Sequence, residues 1–192
     1  MAEPLPTRRV TYAEYLELEL ALGERLGFLD GRVWRPSEGP SVSVNYDADL
    51  GAVADTLLGT RWRVDTARPL VLVPGSRRAI TVSACVISGE SPSLLDEGGV
   101  AEPVALFSVP SPSTEGWDRG GKFAHAQQIP SLRHYVLISQ ETRDVEVFTR
   151  HEGGWLYTRH QSGAQVPLSA LGVTLEVDDL YVDLPPVPEA TS

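Results

Sequence analysis

Pro103-Val104-Ala105-Leu106-Phe107-Ser108-Val109-Pro110-Ser111-Pro112-Ser113-Thr114-Glu115 leads through Trp117-Asp118-Arg119-Gly120-Gly121-Lys122-Phe123 to Gln128-Ile129-Pro130-Ser131-Leu132-Arg133-His134-Tyr135. The largely apolar, uncharged run Val104–Val109 reads as a buried strand. A Ser/Pro-rich turn ends it, and a short helix is expected from Asp118 to Gln128 before Ile129-Pro130-Ser131 breaks it. A second strand follows at His134–Ile138. Asp118 and Lys122 lie four apart and share one helical face. Taken alone, such a pair is a surface ion pair worth little.

Working outward, Thr11-Tyr12-Ala13-Glu14 has the capping-box pattern, with Tyr15, Leu18 and Leu22 at helical spacing up to about Gly23. Leu26–Leu29 and Arg32–Trp34 flank Asp30-Gly31, a type I′ hairpin signal. A second helix is expected from Asp47 to Leu58. Strand-like runs occupy Arg61–Asp65, Leu70–Val73 and Ala79–Ile87. More follow at Val145–Arg150 and Trp155–His160, with Gly153-Gly154 as the turn between them. This order of helices and strands specifies an α/β (α+β) domain: a twisted, mixed and mostly antiparallel central sheet flanked by helices.

The chain has 192 residues, which suits one domain. Residues 10–182 are assigned to it. Polar, Pro-rich segments at 1–9 and 183–192 are expected to fray as flexible tails. The net charge of −10, divided −3 and −7 between the halves, argues against bulk electrostatic attachment to nucleic acid or membrane. One cysteine, Cys85, excludes an internal disulfide framework and any multi-Cys zinc site. Its place in an apolar strand marks it as inert core. No apolar run reaches the ~18 residues of a membrane span, and the first residues do not read as a signal peptide. A cytoplasmic protein is expected.

Common catalytic signatures are missing: there is no GxxxxGK[ST] loop, no GxSxG elbow and no HExxH pair. His125, His134, His151 and His160 are not spaced as a metal motif. Arg61/Arg63 and Arg77/Arg78 read as solvated strand ends. Fifteen of the sixteen cations are arginine, so the single lysine, Lys122, stands out. A compact ammonium does what a planar guanidinium does not.

Ser111-Pro112-Ser113-Thr114, the helical Asp118 and Lys122, and the Pro130-Ser131-Leu132 turn into Tyr135 resemble the Uma-type family of putative restriction endonucleases, built on the PD-(D/E)xK nuclease fold. Thr11-Tyr12-Ala13-Glu14-Tyr15-Leu16 and Phe28-Leu29-Asp30-Gly31-Arg32-Val33 extend the likeness upstream, so it covers roughly residues 10 to 182. The resemblance implies a restriction-endonuclease-like fold. It also implies magnesium held by carboxylates from two adjacent strands, with a lysine near the scissile phosphate.

At those positions this chain departs from the pattern. The family's Pro-Asp corresponds to Val82-Ser83, and its glutamate before the Ser-Pro-Ser-Thr motif corresponds to Ser108. An acidic residue before the hairpin is also replaced, with Gly27 nearest to it. No acid lies between Ala79 and Ser88 or between Pro103 and Thr114, so the loss does not depend on register. Two hydroxyls do not offset the desolvation of a divalent cation. The expectation is therefore a catalytically degenerate nuclease relative with no metal ligands and no cofactor, acting as a binding or assembly module, as a homodimer and without a membrane. Lys122, Asp118, Ser83 and Ser108 form its vestigial site. Arg119, Ser111, Ser113 and Thr114 are placed to meet phosphate, with weak DNA binding at most. The alternative is an active magnesium-dependent DNA endonuclease with relocated acids, drawn from Glu115, Asp118, Glu90 and Glu102. A serine-nucleophile hydrolase has least support, because no acid or histidine stands at a recognisable triad spacing.

Overall fold

Helix α1 (Tyr12–Leu22) begins as its capping box dictates: the Glu14 amide donates to the Thr11 hydroxyl at 3.2 Å, and the Thr11 amide donates to the Glu14 carboxylate at 2.6 Å. A hydrogen bond from Arg8 and then that from the Thr11 amide hold the Glu14 carboxyl down at about 2. Gly23 ends the helix in the left-handed region, at φ 64°. The computed structural model describes residues 5–23, 26–29, 31–34, 50, 57, 61–67, 69–74, 78–89, 99–110 and 114–181. The tail 183–192, residues 1–4, Asp30, Arg77, Glu90, Ser111 and Ser113 lie outside them. So does most of the expected helix Asp47–Leu58, of which only Leu50 and Leu57 are described, both buried.

Twelve strands follow among the described residues. β1 (Gly27–Leu29) and β2 (Arg32–Trp34) form the expected hairpin, Phe28 opposite Val33. Gly31 turns it at φ 78°, where a Cβ would also press on the Val10 carbonyl at 3.0 Å. Next come β3 (Trp62–Asp65), β4 (Leu70–Val73), β5 (Arg78–Thr81), β6 (Ala84–Ser88) and β7 (Pro103–Ser108). Helix α2 has three consecutive parts: Glu115–Trp117, the π-helical turn Asp118–Lys122, and Phe123–Ala126. After it come β8 (His134–Ile138), β9 (Asp144–His151), β10 (Gly154–Gln161), β11 (Gln165–Leu168) and β12 (Val173–Glu176). A 3-10 turn, Asp178–Tyr181, closes the described chain.

The main sheet has six strands in the order β10-β9-β8-β7-β6-β3. All its pairs are antiparallel except β7 with β8, so the expected α+β sheet is present. Three expectations need correction. The single strand Ala79–Ile87 is two strands, because the chain changes partners: the Val82 amide donates to the Pro69 carbonyl and the next amide, of Ser83, to that of Phe107. The helix starts at Glu115 and ends at Ala126, and its middle widens into a π-turn, which apolar periodicity does not report. The β11–β12 hairpin, turned through Gly172 at φ 72°, lies beyond the sequence expectations: its strands alternate, with Val166, Leu168 and Leu175 buried, but each is only four residues long and one contains Pro167.

Alternation along the sheet divides the core into two layers. Val86, Ala105, Phe107, Val136 and Val147 face Val166, Leu168, Leu175 and Tyr181 on one side. Cys85, Ile87, Leu106, Tyr135 and Leu137 face Ala126, Ile129 and Leu132 on the other, the side that carries α2. Burial pushes the Cys85 thiol up to about 12, as an inert core cysteine requires.

His134 stitches the first layer together. The Ala170 amide donates to its Nε2 at 3.1 Å, which leaves the proton on Nδ1, 3.1 Å from Thr149 Oγ1. The ring is buried, and desolvation lowers its pKa from 6.5 to about 4. The unfolded chain therefore binds a proton that the folded chain refuses. Stability from this group is complete above pH 6.5 and is lost as pH falls toward 4, by on the order of 3 kcal/mol. Urea unfolding at pH 7 and pH 4.5 should show a smaller acid loss for His134→Gln than for the native chain. Equal slopes would mean the ring is solvated.

Candidate functional site

Parallel neighbours cannot be joined by a tight turn, so the chain from β7 to β8 must cross over one face of the sheet. That crossover carries α2. It lays Asp118 and Lys122 on the face that carries Ser108, Tyr135 and Leu137. Ser108 ends β7, opposite Leu137 of β8. The ladder pairs Ala84 with Phe107, so Ser83 comes next beside Ser108 on the adjoining strand. The Ser83 amide donates to the Phe107 carbonyl at 2.9 Å, and the Val109 amide donates to Ser83 Oγ at 3.1 Å. The two positions expected from the resemblance to correspond to the family's acids, Ser83 and Ser108, are therefore neighbours across one ladder.

Lys122 Nζ donates to Asp118 Oδ1 at 2.6 Å, and the two side chains are only 12% and 4% exposed. The pair is therefore not the solvated surface pair that spacing alone suggests: Asp118 is buried and Lys122 is mostly covered. Sequence spacing sets which residues share a helical face, but not whether that face meets water. Tyr135 fixes the turn from below, its hydroxyl donating to the Asp118 carbonyl at 3.0 Å. Burial, then the Asp118 charge, push the Tyr135 phenol well above its usual range, and the nearby Ser108 hydroxyl offsets this in part. Ser108 Oγ is itself buried and makes no well-formed hydrogen bond among the described residues. Gly121 is required on steric grounds, since a Cβ there would come within 1.9 Å of the Trp117 ring.

Arg119, expected to meet phosphate, is paired within the chain. It is gripped by Glu115, four residues earlier, and by Glu146 of β9, and those hydrogen bonds raise its pKa further. Its Nε lies 3.1 Å from Glu146 Oε1. These three side chains, with Glu141, Pro110 and Leu137, line a small pocket of about 200 Å³ at the carboxyl ends of β7 and β8. Thr114 precedes α2, and its carbonyl accepts the Asp118 amide at 2.8 Å. Sequence reasoning did not find Glu146, because an acid at one strand position carries no signal of what crosses over it.

Magnesium fits this donor set poorly. It requires anionic oxygens, yet Ser83 and Ser108 offer neutral hydroxyls, the nearest carboxylate already holds an ammonium, and Glu115 and Glu146 hold a guanidinium. Among the described residues no three His, Cys, Asp or Glu side chains converge as ligands. Of the proposed substitutes, Glu102 precedes β7 at its far end, about 20 Å of strand from Ser108.

A buried pair that loses one partner strands a charge, so Asp118→Asn and Lys122→Met should each lower unfolding stability by about 3–5 kcal/mol. The double variant should lose markedly less than their sum. A urea-unfolding double-mutant cycle measures this; strictly additive losses would show that the two groups do not interact.

Comparison with known proteins places this arrangement. The Uma2 family profile, described as "Putative restriction endonuclease", matches residues 12–179. Uncharacterized protein slr1290 of Synechocystis sp. is 32% identical over 83 residues, 43% of this chain and 44% of that protein. The chain thus spans less than half the length of that relative. Uncharacterized protein sll1609 of the same organism is 27% identical over 156 residues, covering 79% of this chain and 88% of that protein. A crystal structure of a putative nuclease from Anabaena variabilis superposes with a TM-score of 0.67 at 13% identity, over 90% of this chain and 98% of the other, and so shares the fold. With the family profile matched along most of its length and its strands arranged as in that nuclease, the chain belongs to the Uma2 family of putative restriction endonucleases.

Proposed function

We propose that this chain keeps the nuclease fold without the metal centre and acts as a binding or assembly module. The observation that carries the reading is the juxtaposition of Ser83 and Ser108 on adjoining strands, with a buried Lys122–Asp118 pair on the same side. A divalent ion entering there would lose hydration and gain alcohol oxygens and a nearby ammonium. Several kcal/mol of desolvation per ion then go unmet. Asp118 is held by Lys122, and Glu115 and Glu146 both hold Arg119, so none of these carboxylates turns to a metal without giving up its ion pair. For the same reason Lys122 and Arg119 are poor phosphate ligands, and any DNA affinity is weak and falls with salt.

Isothermal titration with magnesium or manganese, beside a plasmid-nicking assay, tests this. The native chain should show neither saturable binding nor metal-dependent nicking. Ser83→Asp with Ser108→Glu should gain at least about tenfold in metal affinity, or about 1.4 kcal/mol. Metal-dependent nicking by the native chain that disappears in Asp118→Ala or Glu115→Ala would overturn the proposal and favour an active endonuclease with relocated acids.

A further inference from the structure

The geometry points to self-association through the outer edge of β10, two copies of this chain joining their β10 strands antiparallel about a twofold axis into one continuous sheet. This holds whether or not the metal site is lost. β10 is eight residues long, about 27 Å, and among the described residues pairs on one side only, with β9, in unbroken register from Gly154 opposite His151 to Gln161 opposite Asp144. Edge strands are normally guarded by proline, lysine, a bulge or a short length. Gly154 to Gln161 contains no proline, its pairing shows no bulge, and its one arginine, Arg159, is held by Asp144.

Exposed apolar surface gathers on this strand. Three large hydrophobic side chains are exposed among the described residues, and two are Leu156 at 56% and Tyr157 at 49%; the third, Leu20, lies on α1. Consecutive strand residues point to opposite faces. A partner resting on one face of the sheet covers only one of them, whereas an added strand flanks both. The occupant is therefore a strand.

Symmetry and charge select a second copy as that strand. Antiparallel pairing about a twofold axis perpendicular to the sheet keeps each face on its own side, so odd-numbered residues meet odd-numbered ones. Centred on Tyr157, this sets Tyr157 opposite itself, Leu156 opposite the partner's Thr158, and Trp155 opposite the partner's Arg159. Aromatic pairs and an Arg–Trp contact are favourable cross-strand neighbours. β10 carries no acid, so the net charge of −10 is not focused on this edge. Arg159 is already neutralised by Asp144, with Nε 2.7 Å from Oδ2, so two copies do not set bare cations against each other. The chain's own segment after Tyr181 is a poor competitor: Pro185, Pro186 and Pro188 have no amide hydrogen for a ladder.

Sedimentation velocity of the full chain at micromolar concentrations should give a dimer. Tyr157→Lys and Leu156→Lys, which place a natural edge guard on either face, should each shift it to monomer with unchanged circular dichroism. Tyr157→Cys provides the check on register. Cys85, the one native cysteine, is buried, so oxidation of that variant should give a disulfide-linked dimer in high yield. A native chain that stays monomeric at about 100 µM, weaker than any specific interface of standard size, overturns the inference. So does a dimer that survives both lysine variants, or a Tyr157→Cys variant that dimerises without crosslinking.

Discussion

The parallel pairing of β7 with β8 is the constraint on which the rest depends. Every other neighbour in the main sheet is antiparallel and reachable by a short connection, but this pair demands that the chain travel back before starting β8. The return path must cover apolar surface, and α2 does so with Ala126, followed by Ile129 and Leu132. Once α2 is pinned there, its polar residues have no choice of neighbours. Asp118 lies over Tyr135, Lys122 folds back onto Asp118, and Arg119 reaches the β9 carboxylate of Glu146.

The far end of the crossover is held by charge as well. Arg150 of β9 donates to the carbonyls of Leu132 at 2.7 Å and of Gln127 and Ile129 at 2.9 Å, the groups left over where α2 runs out. Its guanidinium also sits 4.5 Å over the Trp155 ring, which packs on Phe123 of α2. Helix, β9 and β10 are thereby joined on one face. The recurring theme is that cations near the crossover are consumed in structure: Lys122 by Asp118, Arg119 by Glu115 and Glu146, Arg150 by carbonyls. An electrostatic site for an external phosphate would need such groups uncommitted.

Family membership and activity have separate physical requirements. The fold needs the hydrophobic layers on both faces of the sheet and the crossover, and none of these requires a carboxylate at positions 83 or 108. Serine is accommodated at position 83 because its hydroxyl satisfies the Val109 amide, whereas at position 108 the hydroxyl is enclosed without a well-formed hydrogen bond among the described residues, a cost that the hydrophobic layers outweigh. The proposed loss of metal chemistry rests on charge, since magnesium requires anionic oxygens that two serines do not supply. A likeness of fold carries the scaffold to this chain and does not by itself carry the reaction.

Read from its residues alone, the chain already declared its class. The capping box at Thr11, the Asp30-Gly31 turn, the strand at Val104–Val109 and the lack of any acid over 79–88 and 103–114 are all local properties of composition and spacing. The break between β5 and β6 was illegible, since it arises from an exchange of hydrogen-bond partners between Pro69 and Phe107 that no pattern near Ser83 encodes. The π-turn, the burial of Lys122 with Asp118, and the grip of Glu146 on Arg119 were likewise beyond it. Local spacing determines which side chains share a face; only the packed tertiary structure decides which faces are shut away from water, and therefore which charges must find one another.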